Sequence, residues 1–272
     1  MKPVAHITKY LRESKHSETL LVNQLSINRA DNNQQVFKFG FGQSPFPVPV
    51  EISQALADSA YRKEYMSVQG HPPLREAIAN FHKVQEGKNW HSDNIIIGAG
   101  SKILLFCVMA AFEKAEIVVP APSWVSYQPQ ALIAKNKVHW IQTTDSSNWF
   151  PTAEQLENKI KSIKNQNLIL FMNSPNNPSG MICKNLQEIA EVAKKYRLII
   201  LSDEIYSRLT FDSQYKSISN FYPEGTIVST GLSKWCGAGG WRLGFFAIPD
   251  QLKALKNSLK ILSSESFTSV SA

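Results

Sequence analysis

The sequence predicts an α/β fold, with a mostly parallel sheet of seven strands and helices on both faces. Seven short apolar or β-branched runs are bounded by Gly, Pro, Asn or Asp, which is typical of buried strands. Most of the runs lack the alternation of a half-exposed strand, which indicates parallel strands covered on both sides. Helical stretches separate them, as in a succession of βαβ units. The runs cover residues 94–100, 116–122, 137–143, 167–174, 198–204, 226–231 and 242–249.

Two of the helical stretches are especially clear. The first follows the first strand, and we expect its helix to begin near Ile103. The second covers 185–197, with an apolar stripe formed by Leu186, Ile189 and Val192–Ala193. In an open sheet of this kind, ligands lie beyond the carboxyl ends of the strands. We therefore expect the chemically important side chains to come directly after the strand runs.

The domain organisation follows from a change in composition near residue 45. The 272 residues suffice for one large α/β domain, or for one domain and part of another. Residues 1–44 are a polar arm with some helical pattern. The segment SPFPVPVEI (44–52), with its three prolines, predicts a rigid extended link. We predict an N-terminal arm or part of a small domain over 1–44, and a large domain over 45–272.

Composition argues against several classes of function. The chain has 29 basic and 22 acidic residues, but its lysines are dispersed without an aromatic stripe, so we expect no nucleic-acid partner. Its three cysteines lack CxxC spacing, which argues against a disulfide framework or a zinc site. No apolar run has the length of a membrane span or the pattern of a signal peptide. We therefore expect a cytoplasmic protein that has no membrane partner.

The segment 229–245 contains a lysine and an arginine in a glycine-rich setting. A predicted strand ends in a loop with Ser233 and Lys234, and Arg242 follows after three more glycines. Glycines allow a backbone to approach a ligand closely, and the planar fork of an arginine suits a phosphate group. A lysine in such a place can form a Schiff base with a phosphate-anchored electrophile. An isolated lysine at a strand end is more often simply solvated.

Three further segments follow strands, and each has an ordinary structural interpretation. Asp203 ends an apolar strand, with Tyr206 three residues on; it is either a helix N-cap or a buried carboxylate that pairs with a cation. The loop 173–180 is either an ordinary turn or a means of presenting the amide of Asn177. GAGSK (98–102) is a weak phosphate-site signal at a helix start, and it fits neither the P-loop nor the GxGxxG pattern.

Taken together and in order, five segments resemble the class I/II aminotransferases, which are pyridoxal phosphate (PLP) enzymes of fold type I. The segments are GAGSK, PAPSWVSY, SPNNPSG, SDEIYSRL and SKWCGAGGWRLG, and the resemblance covers about residues 40–272. The residues of these segments are most similar to those of the bacterial aspartate aminotransferase-like branch. The resemblance implies the large domain of fold type I, PLP as cofactor, an amino acid and a 2-oxo acid as substrates, and a homodimer.

The resemblance also implies roles for individual residues. Lys234 would carry the cofactor as a Schiff base and move the proton at the substrate α-carbon. Asp203 would pair with the pyridinium nitrogen, and Tyr206 and Asn177 would bond the phenolic oxygen. Trp124 would stack on the ring. The phosphate would be held by Gly100, Ser101, Lys102, Ser233 and Arg242, with Tyr65 reaching the phosphate of the neighbouring subunit. The substrate site would be lined by Gly42, Trp124 and Asn177.

Two departures from the family pattern leave alternatives open. We expect the chain to be truncated at its C-terminus, with the small domain largely missing, because no residue matches the arginine that binds the substrate α-carboxylate. Gly231 stands where many relatives have a hydroxyl residue that contacts the phosphate. The leading hypothesis is a PLP-dependent aminotransferase. The alternatives are a PLP-dependent C–S lyase that performs β-elimination on the same scaffold, and a catalytically impaired PLP-binding remnant.

Overall fold

A computed structural model describes residues 9–13, 18–40, 42–164, 167–211 and 215–266 of the chain. The chain divides into two compact units, 1–46 and 47–272. We predicted a boundary between residues 44 and 45, and the two units divide two residues further on. The N-terminal unit contains helices α1 (Lys9–Glu13) and α2 (Glu18–Asp31). Several apolar side chains of α2 are exposed in this unit, among them Leu20, Leu21 and Leu25.

The second unit contains helices and strands in alternation. Its described helices are α3 (Val50–Ser59), α4 (Pro72–Glu86), α5 (Ser101–Ala110), α6 (Tyr127–Ile133), α7 (Ala153–Lys161), α8 (Leu186–Lys195) and α9 (Lys253–Ser266). Its described strands are β1 (Ile95–Gly98), β2 (Glu116–Ala121), β3 (Lys137–Gln142), β4 (Leu168–Asn173), β5 (Ile199–Asp203), β6 (Thr226–Gly231) and β7 (Gly244–Ala247). Each strand falls within one of the seven runs expected from the sequence.

The strands form one sheet in the order β1-β7-β6-β5-β4-β2-β3. All neighbouring pairs are parallel except those of β7, which runs antiparallel to both β1 and β6. The prediction of a mostly parallel seven-stranded sheet is confirmed. Six of the seven strands point the same way, so the carboxyl ends of β4, β5 and β6 meet at one edge. There Asn173, Asp203 and Ser229 are successive partners across the three strands.

The two faces of the sheet are covered by different helices. On the face that we call the α5 face, Ile117, Leu201, Ile227 and Phe246 pack in one cluster with side chains of α5, α6 and α9. The opposite face packs against α7 and α8 at one end and against α4 at the other. Because side chains alternate between the faces and both faces are buried, most positions of the central strands are apolar on either face. This explains the continuous apolar runs of the sequence.

Local signals account for most helix boundaries. In α7, the Thr152 hydroxyl accepts from the backbone N–H of Gln155, whose side chain in turn accepts from the Thr152 N–H. In α4, prolines occupy the first turn and Gly87 ends the helix in the left-handed conformation. Helix α8 buries Leu186, Ile189, Ala190 and Ala193, as the predicted stripe requires, while Val192 is only partly buried.

Two helix boundaries differ from those expected. Helix α5 begins at Ser101 rather than near Ile103, because Gly100 takes a positive φ of 87° and turns the chain directly into the helix. The extended link was wrong for Val50–Ile52, which form the start of α3. There the carbonyl of Pro49 accepts from the N–H groups of Ile52 and Ser53. Proline suits a helix start because its φ is already restricted and its missing N–H is not needed there.

The described residues also bear on the function classes considered above. None of the described helices is long and apolar enough to cross a membrane. Within the same residues, no three His, Cys, Asp or Glu side chains converge as a metal site would require. Cys107, Cys183 and Cys236 are buried free thiols. Burial raises the pKa of Cys107 to about 11 and that of Cys183 to about 12, so both are poor nucleophiles at neutral pH.

Candidate active site

Three glycines allow the start of α5 to lie directly against the sheet. Gly98, Gly244 and Gly231 are partners across β1, β7 and β6. A Cβ on Gly244 would collide with the backbone at Gly100 and Ser101, and a Cβ on Gly231 would lie 2.6 Å from the Leu243 carbonyl oxygen. A side chain at any of these positions would push the helix or a strand away. A hydroxyl residue at position 231 would therefore require a backbone shift in this chain.

The guanidinium of Arg242 lies over the start of α5. A Cβ on Gly100 would collide with this guanidinium, so glycine is required there both for space and for its positive φ. Arg242 itself has a φ of 59°. Its Nη1 donates to the Gly239 carbonyl at 2.6 Å, and its Nη2 donates to the Ala99 carbonyl at 3.4 Å. The glycine-rich loop and the loop before α5 thus hold the guanidinium between them.

Positive charge converges at this helix start. Lys102 lies in the first turn of α5, and Lys234 lies in the loop after β6. Burial lowers the pKa of each lysine, and the nearby Arg242 charge lowers both further. The free N–H groups at the start of α5 add the positive end of the helix dipole. A bound anion would relieve the mutual repulsion of these positive charges. The geometry therefore suits a phosphate group.

Ser101 and Ser233 are the two hydroxyl residues predicted for this site. Ser101 is the first residue of α5, and Ser233 directly precedes Lys234; both side chains are half-buried. A Cβ on Gly239 would lie 3.4 Å from the Ser233 carbonyl oxygen, so the glycine-rich loop passes close to this residue. The sequence expectation that Gly100, Ser101, Lys102, Ser233 and Arg242 share one site agrees with these positions, while their contacts with a phosphate remain a prediction.

Asp203 is a buried carboxylate at the carboxyl end of β5. Its side chain is on the α5 face, where its Oδ2 accepts a hydrogen bond from the Tyr127 hydroxyl at 2.7 Å. Its Oδ1 accepts from the Ile205 N–H at 3.3 Å, and a turn rather than a helix follows, so the N-cap interpretation is wrong. Burial raises the pKa of Asp203 to about 6, although the Tyr127 and Ile205 donors and the Lys234 charge oppose this. A nearby cation would favour its ionised form.

Tyr127 was not identified as a site residue from the sequence. Its ring is fully buried against Phe171, and burial together with the Asp203 charge raises the pKa of its hydroxyl well above the usual value. The hydroxyl therefore stays protonated and acts as a donor to Asp203. Tyr127 is the first residue of α6, and Trp124 lies in the turn before that helix, where its carbonyl accepts from the Tyr127 N–H at 3.2 Å. Their rings are in edge contact at 5.4 Å.

Lys234, Tyr206 and Asn177 are close to one another beside Asp203. The Lys234 ammonium lies 5.8 Å from the centre of the Tyr206 ring. The Asn177 amide donates to the Tyr206 hydroxyl oxygen at 3.3 Å. Burial and the Asp203 charge raise the pKa of Tyr206, so its hydroxyl remains a donor at neutral pH. The expected grouping of Lys234, Asp203, Tyr206 and Asn177 is present.

Asn173, the last residue of β4, holds the loop that carries Asn177. Its side-chain Nδ2 donates to the Asp203 backbone carbonyl at 2.9 Å, and its side-chain Oδ1 accepts from the Asn177 backbone N–H at 2.7 Å. Asn176 closes the same loop through bonds from the N–H and hydroxyl of Ser179. The sequence of this segment indicated either an ordinary turn or a loop that presents Asn177, and it gave no sign of the role of Asn173, which depends on the pairing of β4 with β5.

Trp124 is half-buried, and it packs partly against the cluster on the α5 face. The Lys102 ammonium lies 5.4 Å from the centre of its ring. The ring thus lies between the cluster and the cationic helix start, and stacking on a cofactor remains a prediction. Tyr65 lies in the loop before α4 with its side chain 99% exposed, and this chain alone does not bring it to the site. Gly42 belongs to the N-terminal unit, and its role also remains a prediction.

Known proteins with similar sequences and structures identify the family and the fold of this chain. A profile of the family described as aminotransferase class I and II matches residues 34–272. The chain is 30% identical over 250 residues to an asparagine–oxo-acid transaminase of Streptococcus mutans, covering 88% of this chain and 63% of the relative. It is 32% identical over 241 residues to an aspartate aminotransferase of Bacillus sp. strain YM-2, covering 85% of this chain and 61% of the relative.

A solved structure extends the comparison to the whole fold. An aspartate aminotransferase from Thermus thermophilus with maleate superposes with a TM-score of 0.90 at 26% identity, over 98% of this chain and 70% of that one. This chain thus has the fold of these enzymes, fold type I, and it spans about three fifths of the length of the two curated relatives. Because the family profile matches residues 34–272, the chain belongs to the class I and II aminotransferases.

Proposed function

We propose that this chain forms the cofactor-binding part of a PLP-dependent aminotransferase that moves an amino group between an amino acid and a 2-oxo acid. The observation that carries the proposal is the arrangement around Lys234. A buried carboxylate, Asp203, lies on one side of this lysine, and the cationic start of α5 with Arg242 lies on the other. The transaminases and aminotransferases among its relatives favour transamination over β-elimination.

The residues present fit PLP at both of its ends. Asp203 is buried with a raised pKa and two donors, so it is suited to a cationic ring nitrogen. At the other end, Gly100 makes room for the Arg242 guanidinium, and Lys102 adds a second cation for a phosphate. When bound, PLP supplies an electron-withdrawing ring that stabilises negative charge at the substrate α-carbon. We infer that Ser101, Ser233 and the α5 N–H groups complete the phosphate site.

Lys234 is suited to act as nucleophile and as base. Burial and the Arg242 charge lower the pKa of its amine, while Asp203 opposes this. A larger neutral fraction at neutral pH makes the amine a better nucleophile toward a carbonyl and a better acceptor of a proton. We assign Lys234 the attachment of the cofactor and the proton movement at the substrate α-carbon.

The remaining side chains hold the ring in place. Tyr206 and Asn177 offer donors toward a phenolic oxygen, and Trp124 offers a flat surface beside Lys102. Tyr65, fully exposed in this chain, fits a contact with a second copy, so we propose a homodimer. We infer that Gly42, Trp124 and Asn177 face the substrate. The cytoplasm is the compartment we expect.

The proposal is tested by titrating the purified chain with PLP while recording the absorption spectrum, for the wild type and for Lys234→Ala. We expect a visible absorption band that is absent in Lys234→Ala and that decays when aspartate or asparagine is added. Lys195→Ala is the matched control, because Lys195 is an exposed lysine that donates to Glu157 and is not one of the site residues. The same band in wild type and Lys234→Ala would contradict the assignment. A Lys234-dependent band that no amino acid changes would support cofactor binding and contradict transamination by this chain.

A further inference from the structure

Ser229 and Asp203 lie side by side on the same face of the sheet. They are direct partners in the parallel pairing of β5 with β6. Two residues earlier on each strand, Leu201 and Ile227 belong to the cluster on the α5 face. Because side chains alternate along a strand, Asp203 and Ser229 point to that face as well. Phe246, the partner of Ser229 on β7, belongs to the same cluster and supports this orientation.

The Ser229 hydroxyl is fully buried and has no hydrogen-bond partner among the residues that the structure describes. Within the sheet, its neighbouring positions on the α5 face are Ile227 and Gly231 along β6, Phe246 on β7 and Asp203 on β5. Of these four, only Asp203 has a polar side chain. Buried hydroxyl groups in proteins are nearly always bonded to a protein group or to an ordered water. Asp203 is therefore the polar side chain of the neighbouring strands that this hydroxyl can serve.

The Asp203 carboxylate has capacity for another donor. It accepts from the Tyr127 hydroxyl and from the Ile205 N–H, whereas an ionised carboxylate offers about four lone-pair sites. The other ionisable groups around it are Tyr206 in the turn after β5, Glu204 next in the chain, and Lys234 in the loop after β6. Neighbouring strands lie about 4.8 Å apart, so the side chains of paired residues on one face are close enough for one water molecule to bridge them.

We propose that Ser229 is a positioning residue for Asp203, and that its hydroxyl donates through one bound water molecule to the ionised carboxylate. This contact stabilises the charge that Asp203 needs to hold a cation. The consequence for PLP rests on the proposed function, whereas the contact between Ser229 and Asp203 does not. A pH titration of the cofactor-free chain can therefore test the contact by itself.

The test measures the free energy of unfolding in urea from about pH 5 to about pH 8 for the cofactor-free chain and for Ser229→Ala. Loss of a donor to the ionised form raises the pKa of Asp203 further, on the order of one pH unit. Ser229→Ala should therefore lose more stability at about pH 8, where Asp203 is ionised, than at about pH 5. In an Asp203→Asn background this pH dependence of the Ser229→Ala effect should vanish.

Ser263→Ala is the matched control. Ser263 lies on α9, and its hydroxyl is also buried without a partner among the described residues. Its removal should change stability equally at both pH values. Should Ser229→Ala fail to fold, Ser229→Cys removes the strong donor while keeping nearly the same shape, and it should show the same pH dependence. Ser229→Thr retains the hydroxyl, so the pH dependence of its stability should be that of the wild type.

A pH dependence that is the same in Ser229→Ala and Ser263→Ala, or that persists in the Asp203→Asn background, would overturn the contact. With the contact supported, PLP affinity at about pH 8 should fall several-fold in Ser229→Ala and stay unchanged in Ser263→Ala. Unchanged affinity in both variants would overturn the role toward the cofactor alone. These results are distinguishable from failure of the proposed function, which would appear as absence of any Lys234-dependent absorption band in the wild type.

Discussion

Two consecutive carboxylates at the end of β5 are buried on opposite faces of the sheet, and their surroundings differ. Glu204 accepts bonds from the Ser202 and Ser217 hydroxyls at 2.8 and 2.5 Å, on the face away from α5. Burial raises the pKa of Glu204, and the charge of the buried Lys88 opposes this. Asp203, by contrast, has one hydroxyl donor and one backbone donor, and it lies beside Lys234 and the cationic helix start.

The difference is the basis for proposing a structural role for Glu204 and a ligand-binding role for Asp203. Glu204 belongs to a network of hydroxyl groups that continues to Ser219, to which Lys88 donates at 2.6 Å. Lys88 is itself largely buried, so its charge requires a carboxylate in the same interior. The charge of Lys234 acts on Asp203 as that of Lys88 acts on Glu204, but Asp203 accepts fewer described hydroxyl donors and retains acceptor capacity. Removing each carboxylate should therefore affect different properties of the protein.

The largest effect on stability is expected for Glu204→Ala. This change removes the larger of the two carboxylate charges that offset the burial of Lys88, the other being Glu86, and it leaves the Ser202 and Ser217 hydroxyls without their acceptor. A buried donor left without an acceptor typically costs about 1–3 kcal/mol. Urea unfolding at neutral pH measures the loss. A cost similar to that of Glu224→Ala, a change in an exposed ion pair with Lys194, would contradict the structural role of Glu204.

Asp203→Asn should raise the free energy of unfolding above about pH 6, whereas Glu204→Ala should lower it. The folded pKa of Asp203 is about 6, whereas the ordinary value is 3.8, so the folded state binds this proton more tightly than the unfolded state does. The Asp203 contribution to stability is therefore full at low pH and declines as the pH rises from about 4 to about 6, by roughly 3 kcal/mol. Unfolding curves across this range should fall more steeply for the wild type than for Asp203→Asn. Parallel curves would show that Asp203 ionises normally.

Tyr127→Phe should have a smaller effect, directed at Asp203. It removes the 2.7 Å donor to the carboxylate while retaining the packing of the ring against Phe171. Bonds to charged groups contribute about 2 kcal/mol, so PLP affinity near neutral pH should weaken roughly 10- to 50-fold. Tyr196→Phe is the control, because the Tyr196 hydroxyl donates to Glu157 at the surface, and equal affinities for both variants would contradict the role of Tyr127.

Much of the fold could be predicted from the sequence, because it depends on local patterns. The seven strands are apolar runs between residues that interrupt regular structure, and both faces of the sheet are covered. The rule that ligands lie at the carboxyl ends of strands predicted the positions of Asp203 and Lys234, whereas the placement of Arg242 with them was implied by the resemblance to the aminotransferases. The helix starts at Val50 and Ser101 were misplaced, since their boundaries depend on the backbone conformation of Pro49 and Gly100.

The missed residues depend on contacts between elements that are distant in the chain. Tyr127 bonds Asp203 across 76 residues, and its position in α6 gave no local sign of that bond. Asn173 is placed by the pairing of β4 with β5, and Ser229 by the pairing of β5 with β6. The need for glycine at Gly231 and Gly244 becomes evident only when β7 is known to run antiparallel beside the start of α5.

We propose that Asp203 binds the cofactor, whereas Glu204 stabilises the folded chain. The most direct test is equilibrium binding of PLP at about pH 8 to the wild type, Asp203→Asn and Glu204→Gln. We predict that Asp203→Asn remains folded and loses affinity on the order of 100-fold or more, since a buried cation would lose its charged partner. Glu204→Gln should unfold at lower urea concentration yet bind PLP with nearly wild-type affinity while folded. Wild-type affinity in Asp203→Asn, or a loss confined to Glu204→Gln, would contradict the account.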